Sequence, residues 1–277
     1  MPQDWSQNEL EIIVSDYFRM LTDELNGIIY SKTEHRKALR VLLPSRSDGS
    51  IEFKHQNISA ILLNLGLPFI KGYLPRWNYQ QLLEDKIIQY LSGQKEPLEK
   101  SFDRFTETAN IGVTSTDFGI LDVDPPLKGL IKEPTVEYVK RPFKVNYLQR
   151  EQQNSQLGQK GEDFAMNFEI WRLEQVGLSH LTEKVKQISL DDDSAGFDIL
   201  SLNKDGSDRY IEVKTTKLNK ETPIFFSQNE YNFSVLNRKN FHLYRVFDFS
   251  DKPKLFRLNG SLDEICNKEP VSFKGTF

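Results

Sequence analysis

The stretch Gly196-Phe197-Asp198-Ile199-Leu200-Ser201-Leu202, continued by Asn203-Lys204-Asp205-Gly206 and then Arg209-Tyr210-Ile211-Glu212-Val213-Lys214, reads as two strands joined by a tight turn. Side chains alternate faces along a strand, so Glu212 and Lys214 share one face and Val213 takes the other. Whether Asp198 joins them depends on the turn, because directly paired residues on antiparallel strands share a face. A two-residue loop, Asp205-Gly206, sets Asp198 opposite Val213. A three-residue loop, Lys204-Asp205-Gly206, sets it opposite Glu212, with Gly206 in the left-handed position. We adopt the three-residue loop because it unites the charges. Two carboxylates and an ammonium on one face can hold a divalent cation and position a water beside a phosphodiester. On the tripeptide alone, a solvated strand face with a surface ion pair is the plainer alternative. Glu52-Phe53-Lys54 and Glu84-Asp85-Lys86 repeat the spacing, but in helix-like text, where positions two apart do not face each other.

The surrounding order of elements favours the site. Gly158-Gln-Lys-Gly161 precedes a helical run from about Glu162 to Val176, with Phe164, Phe168 and Trp171 on one face. Glu162 and Glu169 fall within a second apolar strip, and a carboxylate there needs a partner or a metal. For Glu162 the alternative is simple attraction to a helix N-terminus. Lys184–Leu190 reads as a strand. Asp191, Asp192 and Asp193 then read as a turn before Gly196 rather than a cation site. Pro223–Ser227 reads as a short extended piece. Ser227-Gln-Asn-Glu230 has capping-box spacing and opens a helix to about Asn237. Phe241–Phe247 and Lys254–Leu258 alternate as strands.

Helix, three strands, helix, strand, with Asp198 opening the second strand and Glu212-Val213-Lys214 in the third, resembles the PD-(D/E)XK nuclease superfamily. Gly158-x-x-Gly161-Glu162, Gly196-Phe197-Asp198-Ile199, Ile211-Glu212-Val213-Lys214-Thr215-Thr216 and Ser227-x-Asn229-Glu230 resemble, more narrowly, the C-terminal domain family named after the plant protein NO VEIN. Phe197 stands where the superfamily's name has proline. The resemblance covers roughly residues 155–260. It implies a restriction-endonuclease-like αβββαβ core in which Asp198, Glu212 and the carbonyl of Val213 ligate Mg²⁺, with Mn²⁺ a substitute. It also implies that Lys214 orients the attacking water and offsets transition-state charge, and that Glu162 is an outer carboxylate. The residues agree with that chemistry. Mg²⁺ takes few carboxylates plus waters and phosphate oxygens. His35, His55, His180 and His242 are scattered and Cys266 is the single cysteine, so no zinc grouping competes.

The first hundred residues are helical in pattern. Ser6-Gln-Asn-Glu9 is a capping box followed by Leu10, Ile13, Val14, Tyr17 and Leu21 on one face. Further helices are expected over about 34–43, 51–65 and 79–91. Arg36, Lys37, Arg40 and Lys54, with Arg76 and Trp77 in an aromatic loop, are the candidate DNA contacts. Exposed helix charge and aromatics stapling a loop to the core are the alternative. This N-terminal segment also resembles that of bacterial restriction-type proteins. Residues 96–157 read as a partly structured, proline-bearing linker, basic from Lys128 to Lys160, with a short strand or two over Thr108–Leu121.

The expected organisation is α+β in two domains: helical 1–95, linker 96–157, and a nuclease-like 158–277. The chain of 277 residues carries a formal net charge of −4, which argues against a general nucleic-acid coat. Single-cysteine usage suits a reducing cytoplasm. Neither a membrane-spanning stretch nor a signal-peptide pattern is expected. The function expected is that of a cytoplasmic Mg²⁺-dependent DNA endonuclease of a restriction or phage-defence system. Its expected partners are double-stranded DNA and, as an option, a second copy in a homodimer. The alternative is a non-catalytic module of nuclease fold that binds nucleic acid or a partner.

Overall fold

The computed structural model describes residues 4–107, 118–126, 143, 145–192, 194–250 and 252–272. The chain divides into two compact units, residues 1–109 with 131–154, and residues 110–130 with 155–277.

The first unit is helical. Helix α1 (Gln7–Leu25) starts at Ser6, whose side chain accepts from the Glu9 N–H while Glu9 accepts in return, the capping box the sequence announces. Leu10, Ile13, Val14, Tyr17 and Leu21 are all buried, as the periodicity expects. Helices α2 (Lys32–Leu42) and α3 (Asp48–Asn64) begin two to three residues earlier than their apolar pattern, because Ser31 and Ser47 cap them. Helix α4 (Gln81–Gly93) runs almost directly into α5 (Lys95–Glu107). Leu98 and Phe102 of α5 are buried in the same core as α1. Helix α6 (Phe118–Leu121) belongs to the second unit, and α7 (Tyr147–Gln152) returns to the first. The strands expected over Thr108–Leu121 fall mostly outside the described residues. Its last four residues are α6, followed by a single bridge from Asp122 to Leu255.

The second unit is a five-stranded mixed sheet with helices on it. Helix α8 (Ser155–Gln175) comes first, then a short 3-10 helix (Ser179–Lys184), β1 (Lys186–Gln187), β2 (Ile199–Leu202) and β3 (Asp208–Thr215). Helix α9 (Gln228–Leu236) crosses to β4 (Phe241–Phe247), then β5 (Lys254–Asn259) and α10 (Leu262–Ile265) follow. The spatial order is β1-β2-β3-β4-β5, with β3 and β4 parallel and every other pair antiparallel. A parallel pair needs a long crossover, which α9 supplies.

Two local expectations change. Strand β1 is two residues rather than seven. The N–H groups of Ile188 and Ser189 both donate to the Asp198 carbonyl, so the ladder closes where β2 begins. Helix α8 starts ahead of both Gly158 and Gly161, so neither glycine is a turn before it. Gly161 is in the helix for space. A Cβ there would lie 1.7 Å from Thr215 Oγ1, and its absence lets α8 lie close on β3. Phe164, Ala165 and Phe168 of α8 then pack with Ile211, Val213, Tyr244 and Val246 on one sheet face. On the other, Phe233 of α9 meets Phe197 and Tyr210 at ring-centroid distances of 5.0 and 5.2 Å.

Candidate functional site

The turn between β2 and β3 has the three-residue form. Asn203 N–H donates to the Ser207 carbonyl at 2.8 Å, and Gly206 holds a left-handed φ of +83°. Asp205 Oδ1 accepts from the Ser207 N–H at 3.0 Å, so its own side chain folds the loop. The register runs Leu202–Asp208, Ser201–Arg209, Leu200–Tyr210 and Ile199–Ile211. Beyond Ile199 the regular ladder does not continue: the Asp198 N–H also donates to the Ile211 carbonyl, at 2.9 Å. There β2 has ended, and the Asp198 side chain takes over a ladder partner: Oδ2 accepts from the Val213 N–H at 2.7 Å.

Glu212 is 1% exposed. Its Oε1 lies 2.7 Å from Lys214 Nζ, and its Oε2 is buried without a hydrogen-bond partner. Lys214 Nζ also lies 3.1 Å from Glu230 Oε2. Glu162, on α8, stands at the margin, accepting from Gln187 Nε2 at 2.8 Å and from the Ser189 hydroxyl. Three carboxylates, Glu212, Glu230 and Asp198, thus act on one ammonium, Glu162 acts on Asp198, and the excess of acid bears on the titrations. Burial pushes the Asp198 carboxyl up to about 7, with Glu162 and Glu230 adding to the rise and Lys214 and the Val213 N–H opposing it. Burial drives Glu212 well above the ordinary carboxylate range, helped by Asp198 and Glu230. Burial works against the Lys214 ammonium, yet Glu212, Glu230 and Asp198 more than offset it and raise its pKa.

Such a set fits a divalent cation. Like carboxylates held together in a partly desolvated place are short of positive charge, and the orphaned Glu212 oxygen has no other ligand. Among the described residues no three His, Cys, Asp or Glu side chains form a ready cage. Two carboxylates, Asp198 and Glu212, with backbone and water, suit the sparse protein ligation of Mg²⁺.

Residues 161–258 match the family model described as Protein NO VEIN, C-terminal. The match begins at Gly161, the residue that seats α8 on β3, and takes in Glu162, Asp198, Glu212, Val213, Lys214 and Glu230. It covers a little over a third of the chain. No curated protein and no solved structure matches the chain. No described helix is long and apolar enough to cross a membrane.

Sequence reasoning read Glu230 only as a helix cap. It is one, but the same oxygen reaches Lys214, and only the packing of α9 reveals that. Glu169 is drawn into a different assembly. Fully buried, it is held by Arg172 in two bonds of 2.8 and 2.7 Å, by the Tyr244 hydroxyl, and by Arg209 at 3.6 Å. Its charge is matched by arginine, so its role is structural.

Arg36 pairs with Asp48 at 3.2 Å, Lys37 with Glu34 at 2.9 Å and Arg40 with Asp48 at 3.5 Å, so the basic face of α2 is locally neutralised. Lys54 is 6% exposed, with its ammonium 5.2 Å from the Trp5 ring. An ammonium buried over an indole is a packing element and does not reach a phosphate. Trp77 is half-buried, with its indole N–H enclosed. Its loop is pinned to α3 by the Asn57 amide donating to the carbonyls of Arg76 and Asn78. Arg76 is exposed, its guanidinium 5.2 Å from the Phe53 ring.

Proposed function

We propose that the second unit is a Mg²⁺-dependent endonuclease site that hydrolyses DNA phosphodiester bonds, and that the protein is a restriction or phage-defence effector acting on double-stranded DNA in the cytoplasm. The observation that supports this reading is the Asp198 carboxylate bonded to the Val213 N–H next to Glu212, with Lys214 2.7 Å from Glu212 Oε1 and Glu212 Oε2 unpartnered. The order α8, β1, β2, β3, α9, β4 supports a PD-(D/E)XK core, as does the similarity to the NO VEIN C-terminal family.

Asp198, Glu212 and the Val213 carbonyl would hold the cation, with Mn²⁺ able to replace Mg²⁺. A cation held there would supply Lewis-acid polarisation of a phosphoryl oxygen and a more acidic water. Lys214 orients the attacking water and stands where negative charge grows on the phosphorus oxygens in the transition state. Glu162, tied to Gln187 and Ser189, acts as an outer carboxylate. In the helical unit, exposed Arg76 is the proposed DNA contact. A homodimer would place two such sites on two strands.

A second reading, a nuclease-fold module that binds without cutting, is favoured by one observation: Lys214 is already satisfied between Glu212 and Glu230. The deciding experiment incubates modified and unmodified phage DNA with the protein in Mg²⁺, Mn²⁺ or EDTA, beside Lys214→Ala. Cleavage in Mg²⁺, lost in EDTA and in Lys214→Ala while DNA binding persists, supports the enzyme. Equal DNA integrity in all arms supports the binding module.

A further inference from the structure

The geometry points to Glu230 as the positioning residue for Lys214: the carboxylate that caps α9 also fixes the ammonium at the site, so that the start of α9 and the attacking end of the site are held by one oxygen.

This rests on the proposed nuclease reading and deepens it. Lysine carries a flexible four-carbon stem with three rotatable donors, so its head must be fixed before it can orient a water. Glu212 alone is a poor anchor, because it is a proposed cation ligand and its charge would be shared. Glu230 supplies a second, independent anchor from the neighbouring element. Its Oε2 accepts from the Ser227 N–H at 2.8 Å and lies 3.1 Å from Lys214 Nζ. The Ser227 hydroxyl in turn accepts from the Glu230 N–H at 3.2 Å, so the Glu230 backbone and carboxylate are both fixed before Lys214 is met. The Lys214 side chain is 15% exposed and that of Glu230 24% exposed, so water screens the pair only partly.

The two duties of Glu230 separate by mutation. A capping box accepts Glu or Gln at its third position. Glu230→Gln therefore keeps the bond to the Ser227 N–H and deletes the negative charge that faces Lys214. Ser227→Ala weakens the cap and leaves that charge. Two measurements are made on the full chain. One is the rate at which Lys214 is acetylated by an N-hydroxysuccinimide ester, read by peptide mass spectrometry. The other is the single-turnover rate of DNA cleavage, beside DNA affinity.

The expected result is several-fold faster acetylation of Lys214 in Glu230→Gln and no change in Ser227→Ala. With it goes a single-turnover rate about tenfold lower in Glu230→Gln, at an affinity within twofold of the parent. Acetylation of Glu230→Gln at the parental rate overturns the inference, even if the parent cuts DNA. Should the parent fail to cut any DNA, the nuclease reading falls, and the acetylation rates still decide whether Glu230 holds Lys214. If Glu230→Gln melts below the assay temperature, Glu230→Asp replaces it. That variant keeps the charge one methylene short of Lys214 and should give intermediate acetylation; the parental rate in Glu230→Asp would again overturn the inference.

Discussion

Asp198→Asn should stabilise the protein in the absence of a divalent cation. The Asp198 carboxyl rises from 3.8 to about 7 on folding, chiefly through burial, with Glu162 and Glu230 adding to it. An acid whose folded pKa lies above its unfolded one binds more protons in the native state. Its cost to folding is therefore absent below about 3.8, grows as pH rises, and is complete above about 7. The full displacement corresponds to about 4 kcal/mol. Asp198 is only half-buried, so water screens part of that, and we expect about 2 kcal/mol at pH 8. Asparagine keeps an oxygen for the Val213 N–H and removes the buried negative charge. In EDTA at pH 8 the variant should melt roughly 4–8 °C above the parent, a gain that shrinks towards zero as the pH approaches 4. Mg²⁺ should reverse the order, because a cation at about a hundred times its dissociation constant adds roughly 2.7 kcal/mol to the parent and less to a variant missing a ligand. Thermal melts at pH 4.5 and 8, each with EDTA and with Mg²⁺, make the test. A variant that melts below the parent by the same amount in all four buffers would refute the acidic cation site and make Asp198 a structural side chain.

Gly161→Ala should destabilise the second unit by about 1–3 kcal/mol in urea unfolding, because the new Cβ would sit 1.7 Å from Thr215 Oγ1 and 2.7 Å from Thr215 Cβ. Thr215→Ala should relieve only part of that loss, since the Thr215 Cβ remains. Glu169→Gln should cost about 3–5 kcal/mol by the same measurement, as it leaves Arg172 and Arg209 facing one another without their shared carboxylate. Lys37→Ala should change stability by less than about 0.5 kcal/mol, being an exposed partner of a surface ion pair, with the urea midpoint as the check.

Much of the second unit was legible because its signals are local. Alternation placed Glu212 and Lys214 on one face, and the Ser227-x-x-Glu230 spacing started α9 within one residue. The turn stood between local and tertiary information. Its glycine was visible, but two loop lengths fitted the text. The Asp205 side chain closing on Ser207, together with a ladder that buries Ile199 and Ile211 on the α8 face, selected the longer one. A slip of one residue would have turned every β2 side chain over.

In the second unit the sequence by itself determined the order of the main helices and strands from α8 to β5, and it singled out the candidate residues Asp198, Glu212, Lys214 and Glu162. Each of these follows from spacings of two, three or four residues, which backbone geometry converts directly into faces and caps. Tertiary structure alone decided what each charge meets. Glu230 reaches Lys214 because α9 packs through Phe233 onto Tyr210, and Glu169 finds arginines from α8 and β3 rather than a metal. Arg36 and Arg40 of α2 find Asp48 at the start of α3, and Lys54 turns inward to Trp5. Arg172 apart, which lies three residues from Glu169 on the same helix, those pairings join different elements, and a charge's meaning depends on the partner that folding brings within a few ångströms, which spacing within one element does not encode.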